Sequence, residues 1–421
     1  MITTIILVFV IGYIFITLEH NIHINKTATA LLTGVICWAL YAFSAIENHH
    51  VIEELSHHLS SIAEIAFFLL AAMTIVELID AHQGFGVITE RIRTKDTRTL
   101  LWIISILTFF LSAVLDNLTT AIVMVSLLRK IIRDTEMRRF FAGIVIIAAN
   151  AGGAWSPLGD VTTTMLWIGG QVSATNIMKM LILPSLVSLI VPLIYLSFRL
   201  RGSLEPPKLN KNNKEEGITS FERNTMFIVG VGMLLFVPIF KTITHLPPYM
   251  GMLLALGVVW VVSEILHSKK DEEDRKPYTA AHALSKIDTS SILFFMGILL
   301  AIGVLEVTHT LTHLAGWMND TIGNLDAIVF IIGIASAVID NVPLVAASMG
   351  MYDLATYPQD HRIWEFLAYC AGTGGSMLII GSAAGVAVMG MENISFFWYL
   401  KRISLLALLG YVAGALVFLV M

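Results

Sequence analysis

Charge is scarce in this chain: Asp, Glu, Lys and Arg make up 14% of its 421 residues, against about a quarter in soluble domains. A chain with so little charge is not an ordinary water-exposed globule. Cysteine is scarcer still, and Cys37 and Cys370 each lie inside an apolar segment, which excludes a disulfide framework. The first apolar run, residues 5–17, has no basic stretch before it and no small-residue cleavage site after it, so a retained first helix is expected rather than a leader. The net charge of −5 carries little information, because in a membrane protein the position of Lys and Arg matters more than their sum. No nucleic-acid partner and no organic cofactor are expected.

Apolar residues are abundant, at 56%, and the mean hydropathy is +0.79. Runs at 177–198, 250–266 and 403–421 are long enough to cross a hydrocarbon core of about 30 Å, which takes roughly 20 helical residues. Continuous runs of this kind exclude a β-barrel. The expected fold class is an all-α polytopic membrane protein whose outer surface meets the lipid bilayer.

The string Ser112-Ala113-Val114-Leu115-Asp116-Asn117 returns as Ser336-Ala337-Val338-Ile339-Asp340-Asn341, both times inside apolar sequence. A step of roughly 222 to 227 residues carries most other features of the first half onto the second. His23 falls on His245, Phe67-Phe68 on Phe294-Phe295, His82 on His309, and Ala151-Gly152-Gly153 on Thr373-Gly374-Gly375. Two repeats are therefore expected, at 1–199 and 224–421, joined by a polar cytoplasmic linker at 200–223. A further polar stretch at 267–286 reads as a solvated loop.

Each repeat is expected to hold three plain helices, a re-entrant hairpin, a broken helix and a closing helix. The hairpins are placed at 97–130 and 325–352, with an Asp-Asn pair at each tip. The broken helices are placed at 140–170 and 363–395, where glycines and, in the first copy, Pro157 oppose a continuous helix. Five crossings per repeat invert the second copy. The positive-inside rule agrees, since an outer N-terminus leaves only Lys179, Lys241 and Arg362 of 26 Lys and Arg on the outer side. The first hairpin then enters from the cytoplasm and the second from outside, with both termini outside.

An ionisable residue inside a membrane marks a functional site, and its duplication points to a transporter with its site at the repeat interface. The hairpin tips offer Ser112, Asp116, Asn117, Thr119, Thr120, Ser336, Asp340 and Asn341. The broken helices add Asn150, Ser156, Asp160, Thr162, Thr163, Thr164, Thr373, Ser376 and Ser382. These are hard oxygen ligands, suited to Na+ and not to a transition metal. Asp160 has Ser382 as its counterpart, so the first half is the richer in carboxylates. Asp116, Asp160 and Asp340 converging would favour a cation over an anion and let sodium and protons compete for the same oxygens. The same residues also have a structural use, since Asp-Asn pairs and Asp160 can cap helices and the Gly pairs can serve close packing. Glu77, His82 and His309 are candidates for a pH response, with interface anchoring as the alternative. His49, His50, His57 and His58 read as a solvated outer loop rather than a zinc site.

With these motifs the chain resembles the NhaD-type sodium/proton antiporters of the ion transporter superfamily, over essentially its full length. The resemblance rests on residues 112–117 with Thr119-Thr120, on NAGGAWSPLGDVTT at 150–163, on 336–341, and on AGTGGSMLIIGSAAG at 371–385. It implies a secondary transporter and not an enzyme, exchanging cytoplasmic Na+, and Li+ too, for external H+ across a bacterial inner membrane. It also implies scaffold and transport subdomains and a homodimer. Carried over by motif position, Ser112, Asp116, Asn117, Asp160, Thr162, Thr163, Ser336, Asp340, Asn341 and Ser376 form the functional set. The alternatives are a sodium-coupled dicarboxylate carrier or arsenite exporter of the same superfamily and, remotely, an intramembrane aspartyl protease. The first meets Asp116 and Asp340 with no obvious basic partner in the spans. The second lacks the Gly-x-Gly-Asp frame and gives no reason for an inverted duplication.

Overall fold

The computed structural model describes residues 2–44, 48–89, 92, 94, 96–199, 202 and 218–421. Most of the linker, residues 90, 91, 93 and 95, and the His49 side chain therefore lie outside the described residues. Among the described residues every element is helical. The chain opens with α1 (Ile2–Thr17), α2 (Lys26–Ser44) and α3 (Asn48–Ala81). A hairpin follows, α4 (Thr97–Ser112) and α5 (Asn117–Ile131), then an interrupted helix, α6 (Thr135–Ala154) and α7 (Val161–Ile168), then α8 (Ala174–Arg199).

The second half repeats this order. It begins with α9 (Ser220–Thr244), α10 (Pro248–Leu266) and α11 (Thr289–Val307), then inserts α12 (Thr310–Ile322). The hairpin α13 (Leu325–Ala335) and α14 (Asn341–Met351) precedes the interrupted helix α15 (Arg362–Gly374) and α16 (Ala383–Glu392). A short α17 (Phe396–Arg402) and α18 (Ser404–Val420) close the chain.

Local sequence explains the boundaries. Asp96, Asp134, Asp288 and Asn324 each accept a backbone N–H at the start of α4, α6, α11 and α13, satisfying donors that a helix leaves orphaned. Thr219 and Glu222 form a reciprocal capping box at α9. The interruption at 155–160 falls on Ser156-Pro157-Leu158-Gly159, where proline supplies no N–H.

Side-chain exposure inverts the soluble pattern. Phe43 and Val420 are 81% and 88% exposed, whereas Thr108, Asn150 and Thr163 are fully buried. An apolar exterior around a polar interior is what a lipid solvent selects. Among the described residues, six helices are long and apolar enough to cross a membrane, or up to eight if each bent pair is one span. Ten crossings are finer than helix length and composition support, since α7, α15 and α16 are only 8, 13 and 10 residues long.

Three stretches differ from the sequence expectation. Residues 50–58 are helical, forming the first turns of α3, and His58 packs against Trp38. In the stretch 267–286, His267 is buried and short helical turns occupy Glu272–Arg275 and Ala280–Lys286. α12 was not anticipated; it meets α13 at 114°, and α17 meets α18 at 53°.

The halves pack reciprocally. α2 lies on α11 while α10 lies on α3; α5 lies on α16 while α14 lies on α7. Local detail repeats as well: Ser112 Oγ donates to the Ala149 carbonyl at 2.6 Å, and Ser336 Oγ to that of Ala371 at 2.9 Å. Left-handed backbone recurs at His23 and His245 (φ 56° and 58°), and at Gln83 and His309 (φ 55° in both). In backbone terms the counterpart of His309 is thus Gln83, next to His82.

Glycine at the interruptions permits close approach. A Cβ on Gly152 would run into the Phe109 carbonyl of α4, and one on Gly374 into the Gly333 carbonyl of α13. Each hairpin is thereby pressed against its own interrupted helix. A charged clamp adds a link across the halves, in which buried Glu392 accepts from Arg129 Nε and Arg138 Nε, both at 2.7 Å. Glu392→Ala should cost about 2–3 kcal/mol, below the roughly 3–5 of a fully buried pair because Arg129 is half exposed. Thermal melting of the purified protein in detergent checks this; an unchanged Tm contradicts it.

Candidate ion-binding site

The two hairpin tips and the two interruptions meet at a chain of buried polar side chains. Asp160 is its centre. As N-cap of α7 it accepts the Thr162 backbone N–H on Oδ1 at 3.0 Å, and it is 2% exposed. Asn117, from the first tip, donates Nδ2 to Asp160 Oδ2 at 3.0 Å and to Asn150 Oδ1 at 3.1 Å. Asn341, from the second tip, donates Nδ2 to the same carboxylate at 3.4 and 3.5 Å. A carboxylate only accepts, so both amides must turn their nitrogen toward it. Their carbonyl oxygens remain for another partner.

Asn150 extends the chain into the second half. Its Nδ2 donates to Ser376 Oγ at 2.9 Å and Ser382 Oγ at 3.0 Å. Ser382 caps α16 as Asp160 caps α7. The hydroxyls of Thr120 and Thr162, in the first turns of α5 and α7, are buried without a hydrogen-bond partner. Unpaired buried oxygens are costly and remain open to a further partner.

The repeated aspartates are arranged differently from the sequence expectation. Asp116 turns back on α5, accepting the Thr119 N–H and the Thr119 hydroxyl, both at 2.8 Å. Its backbone sits at φ 69°, ψ 157°, a region costing a side-chain-bearing residue on the order of 1–3 kcal/mol. It borders a cavity of about 60 Å³ lined by residues including Phe68, Leu69, Val161 and Phe295. Asp340 caps α14 through the Val342 N–H at 3.2 Å and receives Lys26 Nζ on Oδ2, also at 3.2 Å. Among the described residues no group of three carboxylate, imidazole or thiol side chains is close enough to hold one ion together. The three aspartates flank one site electrostatically without sharing a ligand sphere.

The remaining candidates are staples or lie apart. Ser112 and Ser336 pin the tips, Thr163 Oγ1 donates to the Ala154 carbonyl at 3.4 Å, and Thr373 Oγ1 donates to that of Tyr369 at 2.5 Å. Glu77 lines a separate cavity of about 270 Å³ with Gln83, Tyr278 and His282. His82, just past α3, is fully buried and meets His267, Nε2 to Nε2 at 2.8 Å. Burial pushes its imidazole down to about 4, so it stays neutral near pH 7. His309 is exposed at the start of α12.

Lys26 was missed as a site residue. The sequence places it at the inner flank of an apolar span, and nothing along the chain ties it to a residue 314 positions away. It corrects the expectation that Asp340 has no basic partner.

An oxygen-lined site between helix interruptions, inside a bundle with an apolar exterior, defines a multi-pass membrane transport protein. The family described as Citrate transporter, CitMHS, matches residues 13–364. Sodium/proton antiporter 1 of Arabidopsis thaliana is 50% identical over 410 residues, covering 97% of this chain and 70% of its own. Sodium/proton antiporter 2 of the same plant is 48% identical over 419 residues, 98% of each chain. The Na(+)/H(+) antiporter NhaD of Alkalimonas amylolytica is 30% identical over 441 residues, covering 97% of this chain and 88% of its own. The chain belongs to the CitMHS family, as one of its NhaD-type sodium/proton antiporters, a family of transporters and not of enzymes. Half-identical plant relatives leave the expected bacterial inner membrane without support.

The geometry ranks the two asparagines. Asn117→Ala leaves both Asp160 and Asn150 short of a donor and should cost about 1–3 kcal/mol, whereas the longer bonds of Asn341 make Asn341→Ala the milder change. Melting temperatures of the two variants test the order, and a larger loss for Asn341→Ala contradicts it.

Proposed function

We propose that the chain exchanges Na+, and Li+ in its place, for H+ across the membrane that holds it. The carrying observation is Asp160: a buried carboxylate approached by an amide from each hairpin tip and bonded to no Lys or Arg among the described residues. Such a group binds either a proton or a small hard cation, and not both. Competition for one site that opens alternately to each side is sufficient for exchange. The names of the plant and bacterial relatives agree with this reading.

The architecture in this reading is two inverted repeats with re-entrant hairpins entering from opposite faces, both termini outside. Reciprocal packing of the two halves supports the inversion, and the distribution of Lys and Arg supports the opposite entries. Asp160, Asn117, Asn341, Asn150, Thr120, Thr162, Ser376 and Ser382 supply the ion's oxygens. Asp116 and Asp340 set the local potential and anchor the tips.

An anionic substrate is the second reading, because the family carries the description Citrate transporter. The geometry disfavours it. Lys26 is already spent on Asp340, which leaves Asp116 and Asp160 to repel a polycarboxylate.

Proteoliposomes with an entrapped pH dye separate the two. Addition of Na+ or Li+ should shift the internal pH, while K+ and citrate should not; silence toward Na+ and Li+, or a response to citrate alone, rejects the exchange. Asp160→Asn should lower the sodium-driven rate by on the order of 100-fold. Asp116→Asn and Asp340→Asn should each reduce it too, and a wild-type rate in Asp160→Asn removes this residue from the site.

A further inference from the structure

We propose that the Lys26 ammonium is a tethered cation that occupies the Asp340 carboxylate in the sodium-free state and is displaced when sodium enters. This rests on the antiporter reading above and adds a residue to its mechanism. Lys26 Nζ lies 3.2 Å from Asp340 Oδ2, with the two side chains 25% and 15% exposed. The ammonium also sits over the Phe294 ring, 4.4 Å from its centroid. Asn341, next to Asp340, donates to Asp160, so an ammonium on Asp340 and a sodium ion at Asp160 are like charges at one hairpin tip, and each is held at the expense of the other.

The surroundings favour a movable side chain on a fixed backbone. Glu19 Oε1 accepts the Lys26 backbone N–H at 3.0 Å, which holds the start of α2 while leaving the four-carbon stem free to turn. The Tyr13 hydroxyl, buried without a partner, is within electrostatic reach of Asp340. Lys26 comes from α2 and Asp340 from the tip before α14, and α11, which carries Phe294, packs against both helices. The ion pair therefore bridges the plain-helix group and the hairpin group, the two parts that must shift against each other for alternating access.

The arrangement is one-sided. Asp116, the counterpart of Asp340, gives its oxygens to Thr119, and the position matching Lys26 in the second repeat is Pro248. In the empty state the second tip is thus neutralised by the protein itself. Emptying the site then leaves no bare carboxylate at that tip.

The test is the sodium dependence of exchange in proteoliposomes for the wild type, Lys26→Gln and Lys26→Arg, with sodium-induced thermal stabilisation of the purified proteins measured alongside. Removing the competitor should lower KM for Na+ in Lys26→Gln by about 3- to 10-fold, and the sodium needed for half-maximal stabilisation should fall in parallel. Lys26→Arg keeps the charge and should stay near the wild-type KM. Lys26→Met, which keeps the apolar stem over Phe294, should match Lys26→Gln and replaces it if that variant folds poorly. An unchanged or raised KM and stabilisation midpoint in both neutral variants overturns the proposal, as does an equal effect of Arg. Absence of sodium-driven exchange in the wild type defeats instead the antiporter reading.

Discussion

A carboxylate held 2% exposed inside an apolar bundle is the constraint on which the rest of the structure depends. Removing an ion of that size from water costs several kcal/mol even after relaxation, and a single hydrogen bond to a charged group returns only about 1.5–3. Asp160 therefore needs donors from several directions. The fold delivers them by bringing the tips of both hairpins and its own helix start to one point, through Asn117, Asn341 and the Thr162 N–H. The donors are neutral, so the site remains charged and receptive to a cation.

The duplication explains how distant segments reach one point. Each hairpin is stapled to its own half by a serine, Ser112 or Ser336, and packed across to the other half by its second arm. Each tip thus has one attachment per repeat. Functional asymmetry sits on this symmetric frame: aspartate caps α7 where serine caps α16, and lysine meets Asp340 where threonine meets Asp116.

Much of this was legible in the sequence, and for physical reasons. Apolar runs, the Ser-x-x-x-Asp-Asn frame and the Gly and Pro clusters report lipid contact, hairpin tips and helix interruptions, because each reflects local backbone chemistry. The direction of a side chain is not local. Asp116 and Asn117 are neighbours, yet the cap geometry turns the aspartate back on its own helix and the asparagine toward Asp160. Lys26 looks like a flank in the sequence because its partner is set by tertiary packing. The polar residues at 50–58 look like loop in the sequence, since a helix extending past the apolar stretch loses its hydrophobic signature. α12 escaped for the same reason, its Thr, His and Asn residues diluting the apolar pattern.

The central claim is that sodium and protons compete for Asp160. Proton release on adding Na+ to the purified protein in weakly buffered detergent solution tests it most directly, with a pH dye as the readout and K+ as the control. The account predicts release with Na+ and not K+, and its loss in Asp160→Asn. Undiminished release from that variant would contradict it.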